Sequence, residues 1–332
     1  MMRVGVMGLS EGHISGMLNS ALAADNVQVV GVVEDNDEIY EKMGKSRNIP
    51  RYPTLDDLLE QAKPQLILEG LNHAQKVELV EKAAAAGAHV LLDKPLCSNE
   101  EHYRRIVAAV ERSGIQLSMW FSSRSYPPFM ALRERIQAGD LGELVSLVST
   151  HPHRLSPKHP AWYEDKNIYA GTFHDLACHG VDQIRWLTGA EYTGVHAVAA
   201  QRKRHLDKPT LDDHVQASFT LSNGACAMLT ADWLTPFTCP SWGDTRVIIM
   251  GTKGSAHLRA YAGNHVLLVS EDKGVEELEL PEGRGREFVQ NLVNSLLSGT
   301  EPFVSTKDVL AVAKACLAAE ESARRGGEFL KI

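Results

Sequence analysis

A chain of 332 residues exceeds one ordinary domain, and two domains with full cores are the natural expectation. Hydrophobic residues make up 44% and charged residues 23%, with no low-complexity tract, which excludes a disordered or fibrous protein. The formal charge of −8 argues against a nucleic-acid partner, which needs a concentrated basic face, and Arg202-Lys203-Arg204 reads as a solvated edge.

The first third alternates short apolar runs with helical patterns. The runs at 4–7, 27–33, 66–68, 89–92 and 115–119 are short and β-branched, as buried parallel strands are. Amphipathic stretches at 75–86 and 99–113 lie between them, closed by Gly87 and Gly114. This alternation predicts a Rossmann-type, doubly wound parallel sheet in an α/β domain over 1–121. Ligands bind such sheets at the carboxyl ends of the strands, where Gly8, Glu34 and Lys94 fall.

After about Trp120 the rhythm changes. A helix at 128–138 is followed by an extended segment at 143–150, a Pro- and His-rich loop at 151–167, and a helix carrying Asp175 and His179. From 193 to 280 alternating strands are separated by turn signals at Ser222-Asn223-Gly224, Gly251-Thr252-Lys253-Gly254 and Asp272-Lys273-Gly274. The expectation is an α+β domain over 122–332 with a large, mostly antiparallel sheet, serving substrate binding and oligomerisation. Helices at 286–297 and 306–324 close the chain; the last is Ala-rich, apolar on one face, and expected to pack on a domain, with the first as a candidate.

Five cysteines (Cys97, Cys178, Cys226, Cys239, Cys316) are scattered and never in a C-x-x-C arrangement, which fits a reducing compartment. The N-terminus enters directly into a strand pattern, and no apolar run reaches the ~20 residues of a membrane span. A cytoplasmic protein with a small-molecule substrate, and neither a nucleic-acid nor a membrane partner, is the expectation.

Gly5-Val6-Met7-Gly8-Leu9-Ser10-Glu11-Gly12-His13 ends strand one and opens a helix, the context of a phosphate-cradling turn. Against G-x-G-x-x-G, Gly8 fits, Ser10 stands at the second glycine and His13 at the third, with Gly12 displaced by one; Glu11 would mildly repel a pyrophosphate. Glu34 ends strand two, where an acid can accept hydrogen bonds from ribose hydroxyls and repel a 2′-phosphate, so NAD is favoured over NADP. Asp35 and Asp37 read as caps of the next helix. Lys94, after a buried strand, can hydrogen-bond a reacting oxygen. Asp175 and His179, four apart, share one helix face. A Lys, an Asp and a His converging on one hydroxyl would form a general acid/base site, and a cleft between the domains is their expected meeting point.

Ala86-Gly87-Ala88-His89-Val90-Leu91-Leu92-Asp93-Lys94-Pro95-Leu96 resembles the "aGkHVlvEKPla" signature of the glucose–fructose oxidoreductase, inositol dehydrogenase and MocA (Gfo/Idh/MocA) family, with Asp93 in place of the usual Glu. Ser123-Arg124 resembles the family's "yR", and 139–143 resembles its "G-x-L-G-e". Residues 171–182 resemble "GGgxlxDlgxHxxD", with Ala170 replacing the first Gly, and 251–254 resemble "GtkG". The family usually has "TPnxxH" after strand three; here His73 stands at the usual Asn and Lys76 at the usual His.

The resemblance implies an NAD(P)-dependent oxidoreductase that moves a hydride between nicotinamide and a hydroxyl-bearing carbon of a sugar, polyol or inositol. It implies that Lys94, Asp175 and His179 are catalytic: His179 exchanges the proton, Lys94 binds the reacting oxygen, and Asp175 orients substrate or His179. It implies cofactor contacts from Gly8, Ser10, Gly12, His13, Glu34, Asn72, His73, Asp93 and Lys94. Arg124, His153, Trp162, His174 and Asp182 are the expected substrate contacts, and relatives suggest a homodimer or homotetramer. His151, His153, His159, His174 and His179 could instead gather round a transition metal, although no metal site is expected. A metal-dependent or non-redox enzyme and a non-catalytic ligand sensor are therefore the alternatives.

Overall fold

β-branched runs flanked by helix caps and glycine stops become the first third of the structure, a computed structural model that describes every residue except Glu11 and Gln201. Strands β1 (Met2–Met7), β2 (Val27–Val33), β3 (Arg51–Tyr52), β4 (Leu66–Glu69), β5 (His89–Leu92) and β6 (Leu117–Met119) form one sheet in the order β3-β2-β1-β4-β5-β6. Every pairing in it is parallel. Helices α1 (Ile14–Leu22), α2 (Asp37–Met43), α3 (Leu55–Asp57), α4 (Lys76–Ala85) and α5 (Glu100–Ser113) connect the strands. β4 is buried at all four positions, as a strand covered on both faces must be. Asn99 caps α5 by accepting the His102 N–H at 2.9 Å, and Gly114 ends it at φ +71°, a conformation that a residue without Cβ adopts freely. The strand order reverses direction from β1, towards β2 on one side and β4 on the other, so the carboxyl edge between β1 and β4 is the topological switch point.

The remainder contains α6 (Pro127–Gln137), β7 (Leu144–Pro152), α7 (Thr172–Thr188), β8 (Tyr192–Ala199), β9 (His214–Leu221), β10 (Cys226–Asp232), β11 (Thr245–Gly251), β12 (Gly254–Ala260), β13 (His265–Ser270) and β14 (Gly274–Glu277). Helices α8 (Phe288–Ser298) and α9 (Thr306–Arg324) and the short strand β15 (Leu330–Lys331) follow. The nine strands β7–β15 form a second sheet, in the order β14-β13-β12-β11-β7-β10-β9-β8-β15. Only β7 and β10 run parallel; the other pairings are antiparallel. One set of alternating side chains is buried, including Leu147, Ser149 and His151 of β7 and Val247 and Ile249 of β11. α7 packs against β7 and β10, and α6 against β12 and β13. Gly180 of α7 lies so close to His151 that a Cβ there would collide with the imidazole. Ser322 of α9 donates to the Glu328 carbonyl and accepts the Ala197 N–H of β8 at 2.8 Å.

Two units emerge from the packing: Met1–Ser122 with Arg284–Leu310, and Ser123–Gly283 with Ala311–Ile332. Residues 284–310, which sequence rhythm groups with the second domain, thus join the first. The reason is visible in the contacts of α8 and the turn before it. Ser20 of α1 donates to the Arg286 carbonyl at 2.9 Å and accepts the Val289 N–H at 3.1 Å, and Asn26 bonds Asn294 at 2.8 Å. Trp120 and Phe288 bring their rings to 4.6 Å. Among the described residues no helix is long and apolar enough to cross a membrane.

Candidate functional site

At the switch point of the first unit, Gly8 leaves β1 at φ +79°, and a Cβ there would meet the Gly70 carbonyl oxygen at 2.5 Å. A left-handed backbone in so narrow a space requires glycine. The Glu34 carboxylate, 8% exposed, accepts the Leu9 N–H at 2.7 Å and the Asn36 N–H at 2.8 Å. Two backbone donors therefore hold an acid beside the turn, at the end of β2. Ser10 is exposed, and Glu11 lies outside the described residues.

Asp93, buried at the end of β5, reaches the start of α1. Its carboxylate accepts the His13 backbone N–H at 2.8 Å, lies 2.9 Å from His13 Nδ1, and accepts the Lys94 N–H at 2.8 Å. Gly12, at φ +55°, makes room: a Cβ there would overlap the carboxylate. Burial alone would raise the Asp93 pKa, but His13, Lys76 and Lys94 outweigh it and hold the group far below the ordinary carboxylate range. Asn72 Oδ1 accepts from the Ala74 and Gln75 amides, both at 3.1 Å, so it shapes the turn into α4. His73 and Lys76 are buried, at 4% and 1% exposure. Lys94 is half-buried between two buried neighbours.

Tested against these groups, a dinucleotide fits the edge in part through backbone and in part through charge. The Gly8–Ser10 turn and the fixed Glu34 suit a diphosphate and an adenosine ribose, and the carboxylate opposes a 2′-phosphate. The amide of His13, the residue that caps α1, is already committed to Asp93.

In the second unit, α7 carries the other half of the motif. Nearly all of it is buried; of its residues only His179, Trp186 and Thr188 are partly exposed. Asp175, 1% exposed, accepts the Tyr169 hydroxyl at 3.2 Å. Burial, with the Asp175 charge beside it, raises the Tyr169 pKa well above its usual value, so the phenol remains a donor. Tyr163 stacks on Tyr169 with centroids 5.2 Å apart, and Trp162 lies against Tyr163 at 4.4 Å. His153 is half-buried, edge-on to Trp233 at 6.1 Å.

Arg124 and Asp182, expected as substrate contacts, engage each other. Arg124 donates to Asp182 in a bidentate pair, at 2.9 Å from Nε and 2.5 Å from Nη2, with both residues buried. Buried charges in such a fork satisfy one another, so the pair ties the segment around Arg124 to α7. His174 is also interior, at 1% exposure. His151 bonds Ser149 at 2.8 Å, and burial, with His153 nearby, drops its pKa to about 3. His159 pairs with Glu164 at 2.9 Å. Among the described residues no three His, Cys, Asp or Glu side chains are placed to hold a metal ion.

Three groups escaped the sequence reading. Glu69, at the end of β4, gives no signal beyond an acid in an apolar run. Tyr169 gives none beyond its place just before Ala170-Gly171. Glu320, on α9, accepts the Phe173 and His174 amides at 2.8 and 3.0 Å, closing the first turn of α7 from 146 residues away.

A parallel sheet with a glycine turn and an acid after β2, joined in sequence to an α+β domain, defines an NAD-binding class of Rossmann oxidoreductase. Residues 2–121 match the family model described as "Oxidoreductase family, NAD-binding Rossmann fold", and residues 129–257 match the "GFO/IDH/MocA C-terminal domain". The chain belongs to the Gfo/Idh/MocA oxidoreductase family. It is 29% identical over 214 residues to the rhizopine catabolism protein MocA of Rhizobium meliloti, across 64% of this chain and 65% of that one. It is 25% identical over 260 residues to the scyllo-inositol 2-dehydrogenase (NAD(+)) of Bacillus subtilis, across 75% of this chain and 72% of that one. The matched region spans between 43% and 65% of the length of four curated relatives, MocA among them. In fold it resembles the aldose–aldose oxidoreductase of Caulobacter crescentus crystallised with glycerol, with a TM-score of 0.85 at 20% identity, over 100% of this chain and 99% of that one.

Burial raises the Glu320 pKa from 4.5 to about 7. A carboxyl whose folded pKa is raised binds more protons in the native state between pH 4.5 and 7, so its contribution to stability falls as pH rises through that window. Glu320→Gln keeps an acceptor for the two amides and removes the titration. Its stability relative to the parent should rise by on the order of 3 kcal/mol between pH 4.5 and pH 8. Urea unfolding of both proteins across that range measures this, and parallel pH curves would refute it.

Proposed function

We propose that the chain is an NAD-dependent dehydrogenase that oxidises a secondary hydroxyl of a polyol, inositol or sugar, or reduces the matching ketone. The observation that carries the reading is the exposure pattern of the two motifs. Lys94 is half-buried between buried Asp93 and Pro95, and His179 is half-buried between buried Cys178 and Gly180. In each motif the residue with acid/base chemistry is the one left accessible.

NAD, when bound, supplies the hydride acceptor for oxidation and, reduced, the donor for the reverse. Glu34 and the Gly8–Ser10 turn would hold its adenosine ribose and diphosphate. In oxidation the hydroxyl loses its proton to a ring nitrogen of His179 as its carbon loses hydride, so oxygen and carbon become a carbonyl. The Lys94 ammonium would donate to that oxygen and stabilise its developing negative charge. Asp175, one turn before His179, would orient the imidazole or a second hydroxyl, its own oxygen fixed by Tyr169. Trp162, Tyr163 and His153 offer ring faces and a polar edge suited to a sugar ring and its hydroxyls. The relatives named inositol dehydrogenase and aldose oxidoreductase support this substrate class.

Among the described residues, the second unit's sheet has alternate side chains that α6 and α7 leave half-buried or exposed. Met228, Val148, Ile248, His257 and Leu267 form a row across β10, β7, β11, β12 and β13 by register, each half-buried or exposed. A mixed apolar row of this kind suits a second copy of the chain, and a homodimer or homotetramer is proposed.

Lys94→Met and His179→Asn should each lower kcat by about 10²–10⁴-fold on the best substrate of an inositol, polyol and aldose panel, with NADH binding retained. Full turnover by either variant would remove that residue from the mechanism. Light scattering at micromolar concentration should give a mass of at least two chains, and 36.5 kDa would contradict the oligomer.

A further inference from the structure

We propose that Lys76 is a positioning residue: with Glu69 it fixes the backbone on both sides of Lys94, and so sets where the Lys94 ammonium can act. The inference rests on Lys94 acting as proposed above. Lys76 is 1% exposed and Glu69 is fully buried. The Lys76 ammonium donates to the Asp93 carbonyl at 2.7 Å and the Pro95 carbonyl at 3.0 Å, and forms an ion pair with Glu69 Oε2 at 3.3 Å. Glu69 Oε2 also accepts the Asp93 N–H at 3.0 Å, while Oε1 accepts the Leu71 N–H. The Lys94 N–H is taken by Asp93 Oδ1 at 2.8 Å.

Four backbone groups of this loop, Asp93 N–H, Asp93 C=O, Lys94 N–H and Pro95 C=O, are therefore each bonded to an ionisable side chain. The arrangement begins where β5 ends at Leu92, beyond the reach of the sheet ladder. An apolar pair of similar volume would fill this interior without desolvating two charges. It would supply none of these bonds. The ionic pair thus gives the loop what the sheet gives the strands, a fixed set of backbone partners. A group that must meet a reacting oxygen within a few tenths of an ångström needs that rigidity.

The experiment compares Lys76→Met, the neutral double variant Lys76→Met/Glu69→Gln, and Lys94→Met with the parent. Hydrogen exchange by mass spectrometry reads the peptide containing residues 93 and 94, and NADH formation from the best inositol or aldose gives kcat and KM. Expected for both Lys76 variants is at least tenfold faster exchange at 93–94, with peptides from β4 and β5 unchanged, and kcat down 10–100-fold at a KM within threefold. Unchanged exchange at 93–94, or unchanged kcat, overturns the proposal. Lys76→Met leaves Glu69 buried beside no cation and can lose the fold outright; the double variant, which carries neither charge, then decides. Loss of protection throughout the first unit in both variants would make the pair a structural element and also overturn it. Lys94→Met should leave exchange at residue 93 unchanged. If that variant keeps full turnover, the catalytic reading fails separately from the clamp, which the exchange data judge alone.

Discussion

An ammonium group taken almost wholly out of water must find acceptors, and the structure of the carboxyl edge of the first sheet follows from where Lys76 finds them. Its partners are a carboxylate from β4 and two carbonyls from the loop after β5. Strand β4, helix α4 and the Lys94 loop are thereby locked to one point. Asp93 extends the lock to α1 through His13, and Glu34 fixes the opposite side of the glycine turn. A nucleotide edge made of loops, which would otherwise be the most mobile part of the sheet, is held by side-chain charge instead of by strand pairing.

The second unit meets the same constraint with other residues. α7 starts inside the unit, so its first amides need a buried acceptor, and Glu320 supplies it from α9. Arg124 and Asp182 neutralise one another near the middle of the helix. With these charges satisfied internally, His179 is left as the half-exposed titratable group of α7, one turn after an Asp175 anchored by Tyr169. The chemistry proposed for the chain depends on that division between groups that hold the helix and the group that faces outward.

Much of this was legible in the sequence. The β-branched runs and glycine stops marked every strand of the first sheet except β3, and the turn signals at Gly224, Gly251–Gly254 and Gly274 fall between the paired strands β9–β10, β11–β12 and β13–β14. Strands β3 and β15 have two residues each, too short for any periodicity to register. Linear reading grouped residues 284–310 with the second domain because periodicity carries no information about which surface α8 covers. The Lys94, Asp175 and His179 motifs were visible because each is a compact local pattern. The partners were not: Glu69 is paired with Lys76 seven residues on, Tyr169 precedes its motif, and Glu320 comes from a helix near the end of the chain. Satisfaction of a buried group by a partner outside its own motif leaves no spacing to read. Arg124 and Asp182 each match the family pattern, and the pairing between them, 58 residues apart, is likewise absent from any local spacing.

The account stands on a nicotinamide dinucleotide being held at the β1–β4 switch point beside Glu34. Titration of the protein with NADH and with NADPH, followed by nicotinamide fluorescence, measures this most directly. The account predicts saturable NADH binding at least about tenfold tighter than NADPH, the discrimination coming from the fixed carboxylate. Absence of binding by both, or tighter binding of NADPH, would contradict it.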